Sequence, residues 1–456
     1  MHLQNGKQRG IRAILSWRLL PTRARSCGSE LKNKDFMSPS NISAPPNWME
    51  WTLTNRLFNI NFWKIRADLN IPQVLESSVY RDLTQNDDQF DLIFTELFFG
   101  FEPLAILGHI FKVPVVTYAS YGYNPDILRY IGAANGVAYL PHFELDYAGP
   151  ISLLQRLDNA LIQFSVMLYN EYWFYPRHDA LLAEYIPGPL PRITDMLRNT
   201  SLYLLTSNPA LRGSKLYPPN VVEISGIHFK DPSLLDEQRT DSKKGVIYFS
   251  LGTLLKASNI RKEIVRFKYT DWDIPKNVFV RDHFDQISIL AHPNCVLFIT
   301  HGGVSSMMEA IKNAIPVIVV PFFADQNINA ANAQYLGYGL RLSYGNLTQQ
   351  SLLHSSNHSG SQLAKKLEKA SEVFTDKPMS SLDSAVYWIE YVIRHNGAHH
   401  LKPLTVHMPW YQLFLLDVIV IYFVAFCVIL YMFKQVISFL FLRLFFVTKS
   451  SKAKVN

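Results

Sequence analysis

The sequence predicts an α/β protein of two doubly wound, parallel-sheet domains followed by one transmembrane helix. Three observations carry that expectation. Short apolar runs alternate with helix-period segments through both halves of a 456-residue chain, the pattern of parallel sheets flanked by helices. A polar, turn-rich stretch, DPSLLDEQRTDSKKG, separates the halves at residues 231–245. From Leu413 to Phe433 the chain reads LFLLDVIVIYFVAFCVILYMF, 21 residues interrupted only by Asp417.

Composition narrows the classes. Hydrophobic residues make up 48% and charged residues 18%, which excludes a disordered chain. The net charge of +7 does not imply a nucleic-acid partner, because many of the lysines and arginines sit at the two ends. Cys27, Cys295 and Cys427 are too scattered for a metal cluster or a disulfide framework.

Residues 1–46 are expected to be irregular. The run from Ile11 to Leu20 is broken by Arg12, Ser16 and Arg18, which leaves no apolar core for an export signal. The first domain is placed at 47–230. Its strands are FDLIFTE (Phe90 to Glu96), VPVVTYAS (Val113 to Ser120), SLYLLTSN from Ser201 and VVEISG from Val221, with LAILGHIF supplying a helix. After the 231–245 linker, the second domain spans 246–400. Its strands are GVIYFSLGT, NVFVRDHF, CVLFITHGG and PVIVVPFF.

Open parallel sheets bind ligands beyond the carboxyl ends of their strands. That rule selects Ser250 to Thr253, His283 to Gln286, His301 to Ser306 and Ala324 to Gln326. In the third of these, Gly302 and Gly303 permit a tight turn. Val304, Met308, Ile311 and Ile315 then follow at helical spacing. A helix starting there offers free N–H groups and a positive dipole end to a phosphate. His301 and Ser305 add donors, and Glu309, one turn on, suits ribose hydroxyls. The competing reading is a plain chain reversal with His301 as a cap.

The stretch FITHGGVSSMMEAIKNAIPVIVVPFFADQNINAANAQYLGYG resembles the donor-binding segment of the family 1 UDP-glycosyltransferases, of the membrane-bound animal UDP-glucuronosyltransferase and UDP-glucosyltransferase type. PPNVVEISGIH, VIYFSLGT and NGAHHLKP extend the resemblance, which covers roughly Asn47 to Asn456. It implies two Rossmann-like domains of the GT-B type, an acceptor domain at 47–230 and a donor domain at 246–400. It also implies transfer of glucose or glucuronate from UDP to a hydroxyl of a small lipophilic acceptor, with inversion and without a metal or other cofactor. By resemblance, His301, Gly302, Gly303 and Ser305 hold the diphosphate, with Ser250 and Thr253 lining the same pocket. Glu309 binds ribose, Gln286 and His283 the uridine region, and Asp325 and Gln326 the sugar hydroxyls.

The departures are equally specific. Where the family has Trp-x-Pro-Gln this chain has His283-Phe284-Asp285-Gln286, and Ala314 stands for a glycine. The loop between SLGTLLKAS and VRFKYT is short, and Lys268 is the basic residue nearest to a family phosphate ligand. The family's first strand and its base histidine have no counterpart before Asn47. Glu96 aligns with the acidic partner of that absent histidine; the bland alternative is a strand-end carboxylate. His109 and His142 are read as helix and loop surface residues. Phe98, Phe99, Tyr121, Tyr123 and Phe174 suit an apolar acceptor pocket, or simply core. A diverged member that binds UDP-sugar or relatives without chemistry is the alternative function. A nicotinamide-type oxidoreductase is excluded, since neither half opens with G-x-G-x-x-G.

The C-terminal apolar run matches the ~20 residues that cross a bilayer core. The span is placed at 411–433, with Trp410 and Tyr411 at its aromatic belt. Lys434, Arg443, Lys449, Lys452 and Lys454 all follow it, so 434–456 is expected to be a cytosolic tail and the globular part lumenal. The run Val436 to Val447 is expected to lie along the interface. Sequons at Asn41, Asn199, Asn346 and Asn357 agree with a lumenal face. The terminal KAKVN resembles an endoplasmic-reticulum retrieval signal or is a generic basic flank. Expected partners are a UDP-sugar, a lipophilic acceptor, membrane lipid and oligomeric relatives.

Overall fold

A computed structural model describes residues 13–15, 64, 67–85, 90–98, 100–133, 136–233, 245–252, 277–281, 284–357 and 361–452. The chain divides into two compact units, Met1–Val406 and His407–Asn456.

The first unit holds two parallel sheets. Strands β1 (Ala13–Leu15), β2 (Leu92–Thr95), β3 (Val115–Ala119), β4 (Leu202–Leu205) and β5 (Val221–Glu223) form one, in that spatial order. Strands β6 (Val246–Ser250), β7 (Cys295–Thr300), β8 (Val317–Val319) and β9 (Gly339–Arg341) form the other, again in order. The inner strands carry apolar residues on both faces, as strands covered by helices on both sides must. Leu202 and Leu204 point to one side of β4, and Tyr203 and Leu205 to the other. In the second sheet, Leu297, Ile299 and Ile318 face one core, while Phe298, Val317 and Val319 face another.

Helices that position the site are α1 (Pro209–Arg212), α2 (Gln286–Ala291), α3 (Val304–Lys312) and α4 (Gln326–Leu336). A further helix, α5 (Ser381–Arg394), returns to the first sheet. Its Ala385 and Val392 pack with Leu92, Val116, Leu202 and Leu204. The chain from 246 to 400 therefore does not close on itself, and the linear division at 231–245 misses this crossing. Most of that linker, 234–244, lies outside the described residues.

Three expectations are corrected. The 1–46 segment contributes a strand: β1 runs parallel to β2, with Leu15 opposite Phe94. Three apolar residues between Arg12 and Ser16 are a weak signal alone, and the partner strand supplies the hydrogen bonds that hold them. The stretch NVFVRDHF is not a strand over its described part; Val278, Phe279 and Val280 are exposed and irregular. Finally, His142 is buried, at 1% exposure, instead of lying on the surface. Its Nδ1 accepts the Glu144 N–H at 3.2 Å and its Nε2 lies 3.7 Å from Asp126 Oδ2. His109, by contrast, is exposed on its helix.

Phe98, Tyr121, Tyr123 and Phe174 belong to the main core. Phe98 and Tyr121 stack with ring centroids 3.6 Å apart, so they pack against each other. Phe99 lies outside the described residues.

The second unit is dominated by one continuous helix, α6 (Leu416–Lys452), of which Leu416–Leu442 is long and apolar enough to cross a membrane. The helix starts five residues later than the span placed at 411–433. The Val436 to Val447 run is not a separate segment; it continues the same helix.

Candidate functional site

The second sheet brings its strand ends into line. Ser250 pairs with Thr300, and Thr300 with Val319, so β6, β7 and β8 release their loops at one edge. The predicted donor residues of those loops therefore converge by register.

After β7 the chain turns through His301-Gly302-Gly303 into α3. Gly302 has φ of +90°, and a Cβ there would approach Val319 Cγ1 to 2.5 Å. Only glycine fits both demands. The His301 ring is enclosed by two glycine backbones: a Cβ on Gly252 would lie 2.7 Å from Cε1, and one on Gly303 2.6 Å from Nε2. Burial pushes the imidazole down to about 4, so it is neutral at physiological pH. Thr300 Oγ1 accepts the Gly302 N–H at 3.3 Å and fixes the turn. The first turn of α3 carries no side-chain cap. The N-cap residue is Gly303, which has no side-chain oxygen to offer, and the Val304 N–H acts on the Asp325 carboxylate instead. Ser305 is exposed on that turn, and Ser306 is buried beside it.

Glu309 and Gln286, predicted for ribose and uridine, meet. Gln286 Nε2 donates to Glu309 Oε2 at 2.8 Å and to Ser306 Oγ at 3.0 Å. The other carboxylate oxygen lies 3.1 Å from His228 Nε2. Sequence reasoning missed His228, just after β5, as a site residue, although it closes the motif PPNVVEISGIH. Asp285, conspicuous in place of a proline, caps α2. It accepts from Ser288 N–H at 3.5 Å, and from the hydroxyls of Ser288 and Ser233 at 2.9 Å each.

Asp325 and Gln326 open α4 beside the glycine turn. Gln326 Oε1 accepts the N–H of Phe322 at 2.9 Å and of Phe323 at 3.2 Å, which holds the loop after β8. Asp325 is 8% exposed and accepts from Asn329 Nδ2 at 2.7 Å, with Arg212 Nη2 3.5 Å away. Burial raises its carboxyl to about 6, against the opposing pull of Arg212, Asn329 and the N–H groups of Asp325 and Val304. Ser250 Oγ accepts the Gly252 N–H at 3.4 Å. Thr253, His283 and Lys268 lie outside the described residues. Among the described residues no cluster of His, Cys, Asp and Glu has metal-site geometry.

Glu96 sits apart from these, at the end of β2. Ser120 donates to its Oε1 through Oγ at 2.6 Å and through N–H at 3.3 Å. β1 runs parallel to β2 with Leu15 opposite Phe94, so the carboxyl end of β1 lies at the same edge of the sheet as Glu96.

Two parallel sheets flanked by helices, with a glycine turn at the strand ends of the second, make the GT-B fold. Solved structures share that fold: the glycosyltransferase of kitacinnamycin, at TM-score 0.53 and 16% identity over 72% of this chain and 82% of that one, and a calicheamicin glycosyltransferase, at 0.51 and 15% over 73% and 82%. These are likenesses of fold. The chain belongs to the UDP-glucoronosyl and UDP-glucosyl transferase family, whose pattern it matches over residues 73–453. It is 32% identical to the UDP-glycosyltransferase UGT4 of Dactylopius coccus over 394 residues, 81% of this chain and 78% of that protein. It is 28% identical to UDP-glucuronosyltransferase 2B15 of Rattus norvegicus over 81% of this chain and 73% of that one.

Proposed function

We propose that this chain transfers glucose or glucuronate from its UDP-sugar to a hydroxyl of a small lipophilic acceptor, with inversion. The observation that carries the reading is the shared edge of β6, β7 and β8, where Ser250, the His301-Gly302-Gly303 turn and Asp325-Gln326 gather. The diphosphate would lie over the N-terminal turn of α3, with neutral His301 as a hydrogen-bond donor. Such fixed dipoles offset the charge that grows on a leaving diphosphate, so no metal is required of this site. Glu309, already steered by Gln286 and His228, would accept the ribose hydroxyls, and Asp325 with Gln326 would meet the sugar hydroxyls.

The helix Leu416–Leu442 would hold the protein in the membrane, with the basic residues after it cytosolic and the sheets lumenal. The endoplasmic reticulum is the compartment that belongs to this reading. Self-association or pairing with relatives belongs to the same reading.

Glu96 favours a second function. Ser120 holds its carboxylate, and among the described residues no histidine does. A chain of that kind holds UDP-sugar without transferring it. A turnover assay decides: the full-length protein in detergent is given UDP-glucose or UDP-glucuronate and a phenolic acceptor. Product formed by the wild type and lost in His301→Ala supports transfer. UDP binding without product supports the second function.

A further inference from the structure

Arg212 ends α1, in the first half of the chain, and its guanidinium reaches from that half to residues of the second. It is 2% exposed. Its Nε and Nη2 donate to Asn329 Oδ1 at 3.0 and 2.6 Å, and Nη2 donates to the Tyr121 carbonyl at 2.7 Å. Asn329 in turn donates through Nδ2 to the Gly302 carbonyl at 2.8 Å and to Asp325 Oδ2 at 2.7 Å. The passage is shaped for this side chain. Gly122 has φ of +106°, and a Cβ on it would collide with Arg212 Nη1.

The consequence is a continuous chain of hydrogen bonds from Tyr121 through Arg212 and Asn329 to the middle of the glycine turn. A two-pronged grip on one amide oxygen fixes which way Asn329 faces, and so aims its Nδ2 at Gly302. Among the other ties between the halves, Tyr338 Oη donates to the Leu211 carbonyl at 3.0 Å and Arg341 pairs with Asp146 at 2.8 Å. Neither of them touches the glycine turn.

We infer that Arg212 is a positioning residue of the donor site, which holds Asn329 against Gly302 and neutralises Asp325 so that the diphosphate turn is set by the docking of the two halves. This rests on the donor-site reading above. Asp325 is the carboxylate within ion-pair distance of Arg212. The guanidinium's charge also acts on Glu223, Lys215 and the hydroxyls of Tyr123, Tyr217 and Tyr338. With Arg212 in place the Asp325 carboxyl titrates at about 6; without it the burial that raises that value is unopposed by a cation, and the titration moves up.

The test titrates UDP-glucose into the full-length protein in detergent by calorimetry, from about pH 5 to about pH 8, where its diphosphate diester does not titrate. The wild type should bind, more weakly below about pH 6 as Asp325 takes up a proton. Arg212→Met should bind about tenfold more weakly at neutral pH, with the weakening on acidification starting at higher pH. Arg212→Lys keeps the charge without the planar two-donor grip, so it should lose affinity while keeping the wild-type midpoint. If Arg212→Met does not fold, Arg212→Lys decides alone. Wild-type affinity in Arg212→Lys, or an unmoved midpoint in a folded Arg212→Met, overturns the inference. Absence of wild-type binding instead overturns the donor-site reading beneath it.

Discussion

Gln286 Nε2 lies 2.8 Å from Glu309 Oε2, which joins the first residue of α2 to the middle of α3. With His228 on the other oxygen, the carboxylate is held in one orientation before any ligand arrives. A preoriented acceptor loses less freedom on binding than a mobile one.

Glu309→Ala should therefore weaken UDP binding by about tenfold, roughly the worth of one charge-assisted hydrogen bond. Calorimetry with UDP reads the change. Unaltered affinity would remove Glu309 from the site.

Gly302→Ala tests the turn. The φ of +90° is strained for any L side chain, and the new methyl would press on Val319. A loss of about 1–3 kcal/mol in stability is expected, read as a lower thermal midpoint, together with weaker UDP binding.

His301 and Asp325 should bend the acid limb of stability in opposite directions. The folded His301 titrates at about 4 against an ordinary 6.5, so between those values the unfolded chain binds the extra proton and stability falls as pH falls. The folded Asp325 titrates at about 6 against 3.8, so the folded chain binds the extra proton there and stability rises as pH falls. His301→Gln should flatten the decline of thermal midpoint below pH 6.5, and Asp325→Asn should steepen it.

The C-terminal helix offers a separate test. Ile429→Lys places a charge near the middle of Leu416–Leu442, at a cost of about 3 kcal/mol in a bilayer centre. The fraction resisting alkaline extraction from membranes should drop.

What could be read from the residues depended on how local the signal was. The β7 run, the glycine pair and the apolar spacing of Val304, Met308 and Ile311 sit within one short stretch, and their strand, turn and helix stand as expected. Asp285 followed by Gln286 and the apolar Ile287 is a local N-cap signal as well. The strand Ala13–Leu15 is specified by its partner 79 positions later, Leu92 opposite Ala13, and three residues alone cannot announce that. NVFVRDHF shows the converse, an apolar run with no described strand to pair with. His142 looked like a loop residue because nothing nearby in sequence reveals Asp126 or Asn159 closing over it. Arg212 was invisible for the same reason. A lone arginine before Gly213 has no periodicity, and its acceptor on Asn329 is 117 residues away.

The central claim is that the strand ends of the second sheet hold the nucleotide of a UDP-sugar. Titration of the full-length protein with UDP addresses it most directly. Saturable one-to-one binding, in the micromolar to millimolar range usual for substrates and weakened in Glu309→Ala, is the predicted result. No heat of binding for UDP in the folded wild-type protein would contradict it.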